Sequence, residues 1–369
     1  MKPLEGVRIV EMAGLGPVPF AAMWFADVGA EVIRIERVDP NPLAGVEPAA
    51  VRRGRRVLRL DLKAEGAADI VLALVATADA LLEGFRPGVM ERLGLGPDRC
   101  LDRNPSLVYG RMTGWGQDGP WADMAGHDID YIALSGLLHA VGPAEKPVPP
   151  LNLVGDYGGG AMMLIAGVLA GIVAARDGRP GRVVDAAMTD GAAYLGTTPF
   201  ALMADGWWQP NRESNLLDGG APFYRTYETS DGQHMAVGAL EPQFYSRLLE
   251  GLGLDSEDLP GQQDVSGWPT LRERFAVVFA SRTRAEWEAV FAGTDACVAP
   301  VLSMAEAADH PHMRHRATFV EGVPAPAPRF VGGDNTRATD STEATDELLE
   351  SLGIDLQTRR SLRERRVIG

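Results

Sequence analysis

The chain has only two cysteines, Cys100 and Cys297, among 369 residues, far apart and without His or Cys neighbours at ligand spacing. That gives no basis for a disulfide framework or a zinc site and sets a reducing cytoplasm as the expected compartment. It lacks a long apolar run. The longest, residues 161–175, has 15 residues, short of the roughly 20 a membrane span needs. Residues 6–10 lead directly into Glu11 with no signal-peptide layout, and Val367-Ile368-Gly369 is not a peroxisomal address. No membrane partner is expected. Net positive charge is also missing: the formal charge is −15, which argues against nucleic acid as a partner. A hydrophobic content of 46% with 23% charged residues describes a globular protein.

The acidity is unevenly spread. Residues 1–63 hold ten Lys or Arg against eight Asp or Glu, so this segment is +2 and the remainder −17. Arg52, Arg53, Arg55 and Arg56 lie close together there, with Arg34, Arg37, Arg59 and Lys63 nearby. Such a run reads either as a solvated loop or as a phosphate-binding patch, since guanidinium forks match phosphate oxygens.

Along the chain, residues 6–12 read as a strand, Gly14-Leu15-Gly16-Pro17 as a turn, residues 20–28 as a helix and residues 31–35 as a β-branched strand. This β–turn–α–β unit builds a parallel sheet. Strands at 57–62, 80–83 and 107–112 with a helix at 66–78 continue the alternation, and a strand at 182–185 leads to a helix from 187. Residues 1–190 are therefore expected to form a large α/β domain of doubly wound, Rossmann-like type, rejoined by residues 330–369. Residues 191–222 read as a linker, and 223–320 as a smaller α+β domain with a hairpin at 223–239 and helices at 243–251, 268–281 and 284–293. Residues 321–330 read as a proline-rich connector. Gly14 to Pro17 departs from a G-x-G-x-x-G fingerprint, which makes a nicotinamide site a poor reading.

The residues that carry chemistry are few. In Asn152-Leu153-Val154-Gly155-Asp156-Tyr157-Gly158-Gly159-Gly160, an acid and a glycine cluster stand where a buried helix is expected to start. Asp156 reads as an N-cap or as a carboxylate beside a pocket for a developing oxyanion. Glycine weakens a helix start unless something must approach the backbone closely. His127 closes the Gly- and Trp-bearing loop 113–126, where reactive groups concentrate, although a lone loop histidine is more often structural and its case rests on the residues around it. Glu241 follows the strand at 235–240 and precedes Pro242, either as a helix-start acid or as a site residue. His310, His312 and His315 form H-x-H-x-x-H, but Pro311 disfavours a shared helical face, so they read as a surface helix end and no metal is expected.

Four ordered motifs resemble one family. They are Glu83-Gly84-Phe85-Arg86-Pro87-Gly88-Val89, Gly114-Trp115-Gly116-Gln117-Asp118-Gly119-Pro120, Ala125-Gly126-His127-Asp128-Ile129 and Gly155-Asp156-Tyr157-Gly158-Gly159-Gly160. Together they are similar to the family III CoA-transferases, nearly end to end. Leu217-Asp218-Gly219-Gly220-Ala221-Pro222-Phe223-Tyr224 and Val237-Gly238-Ala239-Leu240-Glu241-Pro242-Gln243-Phe244 resemble the branch of that family that racemises 2-methyl-branched acyl-CoA thioesters.

The resemblance implies an interlocked homodimer whose sites form where one chain's large domain meets the partner's small domain. It implies Asp156 and His127 as the two acid/base groups, Glu241 holding the imidazole, and an enolate whose oxygen faces the helix start at 157–160. It points to Arg37, Arg59, Leu60, Lys63, Gly84, Phe85, Arg86, Arg92, Tyr157 and Gly158 for the CoA thioester. CoA is then part of the substrate, and no cofactor is expected. Val18 stands where relatives often have glycine. The implied reaction is inversion at the α-carbon in lipid metabolism. The rival is CoA transfer with Asp156 as nucleophile forming an acyl anhydride, and a third reading is a non-catalytic acyl-CoA binder.

Overall fold

In a computed structural model of the chain, residues 1–39 and 48–369 are described. They divide into two compact units. The first comprises Met1–Gly136, Pro150–Gly196 and Val320–Gly369, and the second Leu137–Pro149 and Thr197–Phe319.

The first unit opens with β1 (Arg8–Met12), α1 (Pro17–Asp27) and β2 (Glu31–Glu36). Then come α2 (Ala49–Arg52), β3 (Arg55–Arg59), α3 (Ala67–Val75), β4 (Ala80–Glu83), α4 (Val89–Arg92) and α5 (Pro97–Arg103). They are followed by β5 (Val108–Thr113) and α6 (Asp128–Leu134). The one-turn helix α7 (Leu137–Ala140) belongs to the second unit. Back in the first, a π-helix (Leu153–Ala161) runs into α8 (Met162–Arg176), β6 (Arg182–Ala187) and α9 (Met188–Leu195).

The second unit continues with α10 (Thr197–Ala204), β7 (Tyr224–Glu228), β8 (His234–Gly238), α11 (Pro242–Leu252), α12 (Trp268–Phe279) and α13 (Arg284–Phe291). It ends with β9 (Val298–Pro300), α14 (Met304–Ala307) and α15 (Pro311–His315). The minimal strands β10 (Phe319–Val320) and β11 (Val323–Pro324) follow, so the expected connector carries a short pairing at its start. The tail adds β12 (Thr342–Glu343), α16 (Thr345–Ser351) and α17 (Leu356–Glu364).

The first unit is built on a seven-stranded sheet in the order β12-β3-β2-β1-β4-β5-β6, parallel throughout. Alternate residues of the strands serve two cores. Val10, Met12, Ile33, Ile35, Leu58 and Leu60 meet α3, α16 and α17 on one face. Ile9, Val32, Ala80, Leu82 and Val108 meet α1 and α8 on the other. Both faces being covered is what a parallel sheet requires. The order runs outward from β1 to β3 and then restarts at β4 on the other side. That creates a topological switch point between β1 and β4, where open α/β sheets leave a crevice at the carboxyl ends of the strands.

The π-helix and α8 make one helical rod of 24 residues, long and apolar enough to cross a membrane, and half of it is buried. It is longer than the apolar run read from the sequence because Asp156 and the glycines interrupt that run without ending the helix. Leu164, Ile165, Val168 and Ile172 bury it against the sheet as a core helix.

In the second unit, β7, β8 and β9 form an antiparallel sheet instead of a lone hairpin. Its core is aromatic: Tyr227 stacks on Phe279 at 4.9 Å between centroids, and Trp287 Nε1 donates to Phe279 O at 2.8 Å. Segment 137–149 is clamped to it by Arg212, which donates to the carbonyls of His139, Pro143 and Ala144 at 2.9, 2.9 and 3.0 Å. The Asp218 carboxylate accepts N–H groups from Ser214, Asn215 and Gly220. This loop motif therefore folds on its own aspartate.

Candidate active site

A cavity of about 380 Å³ opens at the switch point. Its walls are the residues that follow strand ends: Leu15, Pro17 and Val18 after β1, Gly84 to Pro87 after β4, Gly114 and Trp115 after β5, and Met188 after β6. The loop from Ala122 to His127, with Tyr131, completes it. Of the residues expected to hold substrate, Gly84, Phe85, Arg86 and His127 thus share one wall system.

His127 precedes the first residue of α6, with its side chain exposed. Its backbone N–H donates to Asp130 Oδ2 at 2.9 Å. The residue before it is fixed by Tyr131, whose Oη donates to Gly126 O. A Cβ on Gly114 would stand 2.1 Å from the Tyr131 ring, and one on Gly126 2.7 Å from it. These two loop positions are glycine because the tyrosine packs directly on their backbone. Burial, and then the negative charge of Asp156, pushes the Tyr131 hydroxyl up to about 12.

Asp156 lies inside the π-helix, half-buried. Its Oδ2 accepts from Asn152 Nδ2 at 3.0 Å and lies 3.6 Å from where a Gly16 Cβ would stand, so the carboxylate faces the turn after β1. Burial holds the carboxyl above the ordinary aspartate range. The Asp128 charge acts in the same sense, while the Asn152 hydrogen bond and the nearby His127 oppose it. His127 thus lies within electrostatic reach of Asp156.

The glycines after Asp156 have a different role from the expected one. No helix starts at 157–160, since the π-helix begins at Leu153. A Cβ on Gly159 would stand 2.5 Å from Ala192 N, and one on Gly160 3.0 Å from both Gly155 O and the Met188 side chain. These residues are glycine to let the π-helix seat on α9, so the helix start expected to face an enolate oxygen there is not present. Tyr157 packs on Phe20 at 4.6 Å, and Gly158 faces Leu195.

The arginine-rich segment is mostly committed inward. Arg55 is fully buried and bonded to Glu11 at 3.0 Å, and Arg34 reaches the same carboxylate at 2.7 Å. Arg53 pairs with buried Asp27, and Arg56 with Glu31 at 2.6 Å. Arg59, expected at the CoA, pairs with Glu343 at 2.7 Å. Leu60 is a core residue whose backbone bridges to Ile368. Arg37, Lys63, Arg86 and Arg92 are exposed, and Arg86 alone of these lines the cavity.

Beneath the cavity wall, Glu83 accepts the Phe85 N–H at 2.8 Å and pairs with its cross-strand neighbour Arg111 at 2.9 Å. Burial pushes the Glu83 carboxyl up to about 6 despite these two partners.

Glu241 is in the second unit, exposed, immediately before Pro242 of α11. The carbonyls of Ala239 and Leu240 accept from Gln262 Nε2 at 3.1 and 2.9 Å, which fixes the approach to it. His310 caps α15, its Nδ1 accepting from His312 N at 3.3 Å. Pro311 opens that helix, where its missing N–H costs nothing. Among the described residues, no group of three or more His, Cys, Asp or Glu is arranged to hold a metal ion.

Tyr131, Asp128, Leu15 and Met188 carry no functional signature of their own in the sequence. The signal for Tyr131 was present as two glycines bracketing a Trp loop.

A parallel α/β sheet with a carboxylate and an imidazole over its switch point defines a class, and residues 4–343 match CoA-transferase family III. The chain belongs to that family. It is 50% identical over 329 residues to the alpha-methylacyl-CoA racemase of Mus musculus, covering 88% of this chain and 85% of that protein. It is 44% identical over 363 residues to the alpha-methylacyl-CoA racemase of Homo sapiens, covering 95% and 93%. A CAIB/BAIF family protein from Brucella suis has the same fold, with a TM-score of 0.80 at 22% identity over 95% of this chain and 99% of that one.

Proposed function

We propose that the protein is a racemase that inverts the α-carbon of 2-methyl-branched acyl-CoA thioesters by two-base proton transfer. The observation that carries this reading is the half-buried Asp156 carboxylate within electrostatic reach of His127, in a chain 44–50% identical to two alpha-methylacyl-CoA racemases. One group takes the α-proton, and the C–H electron pair moves onto the thioester carbonyl to give an enolate. The other group then delivers a proton to the opposite face, which regenerates the carbonyl. Substrate and product differ only in configuration, so no electrons, acceptor or resident cofactor are required.

Glu241 would hold the imidazole. In the interlocked homodimer it would come from the partner subunit. Apolar side chains left exposed on the first unit, among them Met162 and Val173 of α8 and Val183 of the edge strand β6, support a covering second copy. The CoA portion would run past Gly84, Phe85 and Arg86 toward Arg37, Arg59, Leu60, Lys63 and Arg92, with Tyr157 and Gly158 near the acyl end. A cytoplasmic site of action and a role in branched lipid metabolism fit this substrate.

The test incubates one epimer of a 2-methylacyl-CoA with the enzyme in heavy water. Loss of optical purity with deuterium at the α-carbon is the expected result. CoA movement to an added free acid without exchange would replace this reading with transfer through an Asp156 anhydride.

A further inference from the structure

Asp128 has no part in the two-base scheme, yet it is buried, follows His127 directly in the chain and bonds to the backbone of Asp156. Its Oδ2 accepts the backbone N–H of Asp156 at 2.7 Å. Its Oδ1 is buried and accepts no hydrogen bond from the protein. Gly155 closes over it: a Cβ there would stand 2.5 Å from Oδ2 and 2.9 Å from Cγ. The residue is only 6% exposed. One acid thus joins the start of α6, which carries His127, to the π-helix turn that carries Asp156.

We propose that Asp128 is a positioning residue, whose buried carboxylate ties the two base-bearing turns together and sets its negative charge against Asp156. This rests on the racemase reading for its consequence, though not for its geometry. A carboxylate with one oxygen lacking a donor keeps its field, and a like charge disfavours ionisation of its neighbour. The groups facing Asp156 are Asn152 on its own helix, Asp128, His127 and Tyr131 from α6 and its cap, and the Gly16 turn. Of these, Asp128 and burial raise its proton affinity, and Asn152 and His127 lower it. An acid at the first helical position also stabilises α6 through the helix dipole. That bland role makes no demand on the proton affinity of Asp156.

The experiment compares wild type with D128N, which keeps an oxygen to accept the Asp156 N–H and removes the charge, and with D128A, which removes both. The Asp156 carboxyl is followed by carbon NMR in protein labelled at aspartate carboxyls, assigned with D156N, alongside the pH profile of α-deuterium exchange. In D128N the Asp156 titration and the acid limb of kcat/KM both move to lower pH. In D128A, kcat falls on the order of 10²-fold, the scale of a small misplacement of a reacting group, with KM little changed. G155A, which crowds the Asp128 carboxylate, lowers kcat in the same way. An unmoved Asp156 titration in D128N overturns the proposal, as does D128A with wild-type kcat. If wild type fails to exchange the α-proton, the racemase reading falls while the NMR titration still decides the tie between Asp128 and Asp156.

Discussion

Gly191 of α9 lies against Gly159 of the π-helix so closely that a Cβ on Gly191 would stand 1.8 Å from the Gly159 carbonyl oxygen. The atom it would meet is backbone, which cannot swing away. G191A is therefore expected to destabilise the protein by roughly 3 kcal/mol, at the upper end of overpacking costs. G261A, whose Cβ meets nothing within 4 Å, is the control. Thermal unfolding of both variants checks this, and equal melting temperatures would show that the two helices separate at little cost.

Removing either proposed base should cost 10²–10⁴-fold in epimerisation, the usual worth of general acid–base catalysis. H127A and D156A should both show this loss while keeping CoA binding. A site shared between the two chains of an interlocked dimer would make a further demand. Coexpressed H127A and E241A chains should regain up to about a quarter of wild-type activity, because half the dimers are mixed and each mixed dimer has one intact site. Activity no higher than that of either parent would place both residues in a site made by one chain.

The buried Glu83 carboxyl, raised to about 6 from 4.5, gives a pH signature in stability. The folded state holds its proton more tightly than the unfolded state. Stability from this group is thus present below about 4.5 and is lost as pH rises through about 6. The loss is on the order of 2 kcal/mol. E83Q keeps an oxygen for the Phe85 N–H and cannot ionise. Its stability relative to wild type should increase across that window, as read by urea unfolding at pH 4.5 and 7. A constant difference would show that Arg111 fully compensates the buried charge.

Arg55 offers a charge of the opposite kind. R55M leaves Glu11 buried with Arg34 as its remaining partner, and breaking a buried pair costs about 3–5 kcal/mol. KM for a CoA thioester should stay at the wild-type value. A raised KM with unchanged stability would return this arginine to the substrate.

Much of the large unit was legible because strands buried on both faces read as short apolar runs, and the motifs at 83–89 and 114–120 begin at the ends of two such strands. Residues 8–12, 31–36 and 80–83 illustrate this. The edge strand β12 was not legible, since its two residues, Thr342 and Glu343, are polar and exposed. The π-helix escaped because side-chain type does not distinguish its hydrogen bonding from that of an α-helix. The arginine cluster could not be resolved locally. Arg34 faces Glu11 only through the register of β1 with β2, and Arg111 faces Glu83 only through that of β4 with β5. Asp128 sits beside His127 in sequence, but its burial depends on Gly155 far along the chain.

The strand β12 sets a condition on how the protein reaches this fold. It pairs with β3, and Glu343 bonds to Arg59 across a separation of 284 residues. Between them the chain must pass through the whole second unit. During synthesis, the outer edge of β3 is therefore without its strand until almost all of the protein has been made. An uncovered parallel edge invites pairing with another chain, and contacts this distant in sequence form slowly. The demand on chaperones should consequently fall on the interval before residues 342–343 arrive, and refolding yield should depend steeply on protein concentration.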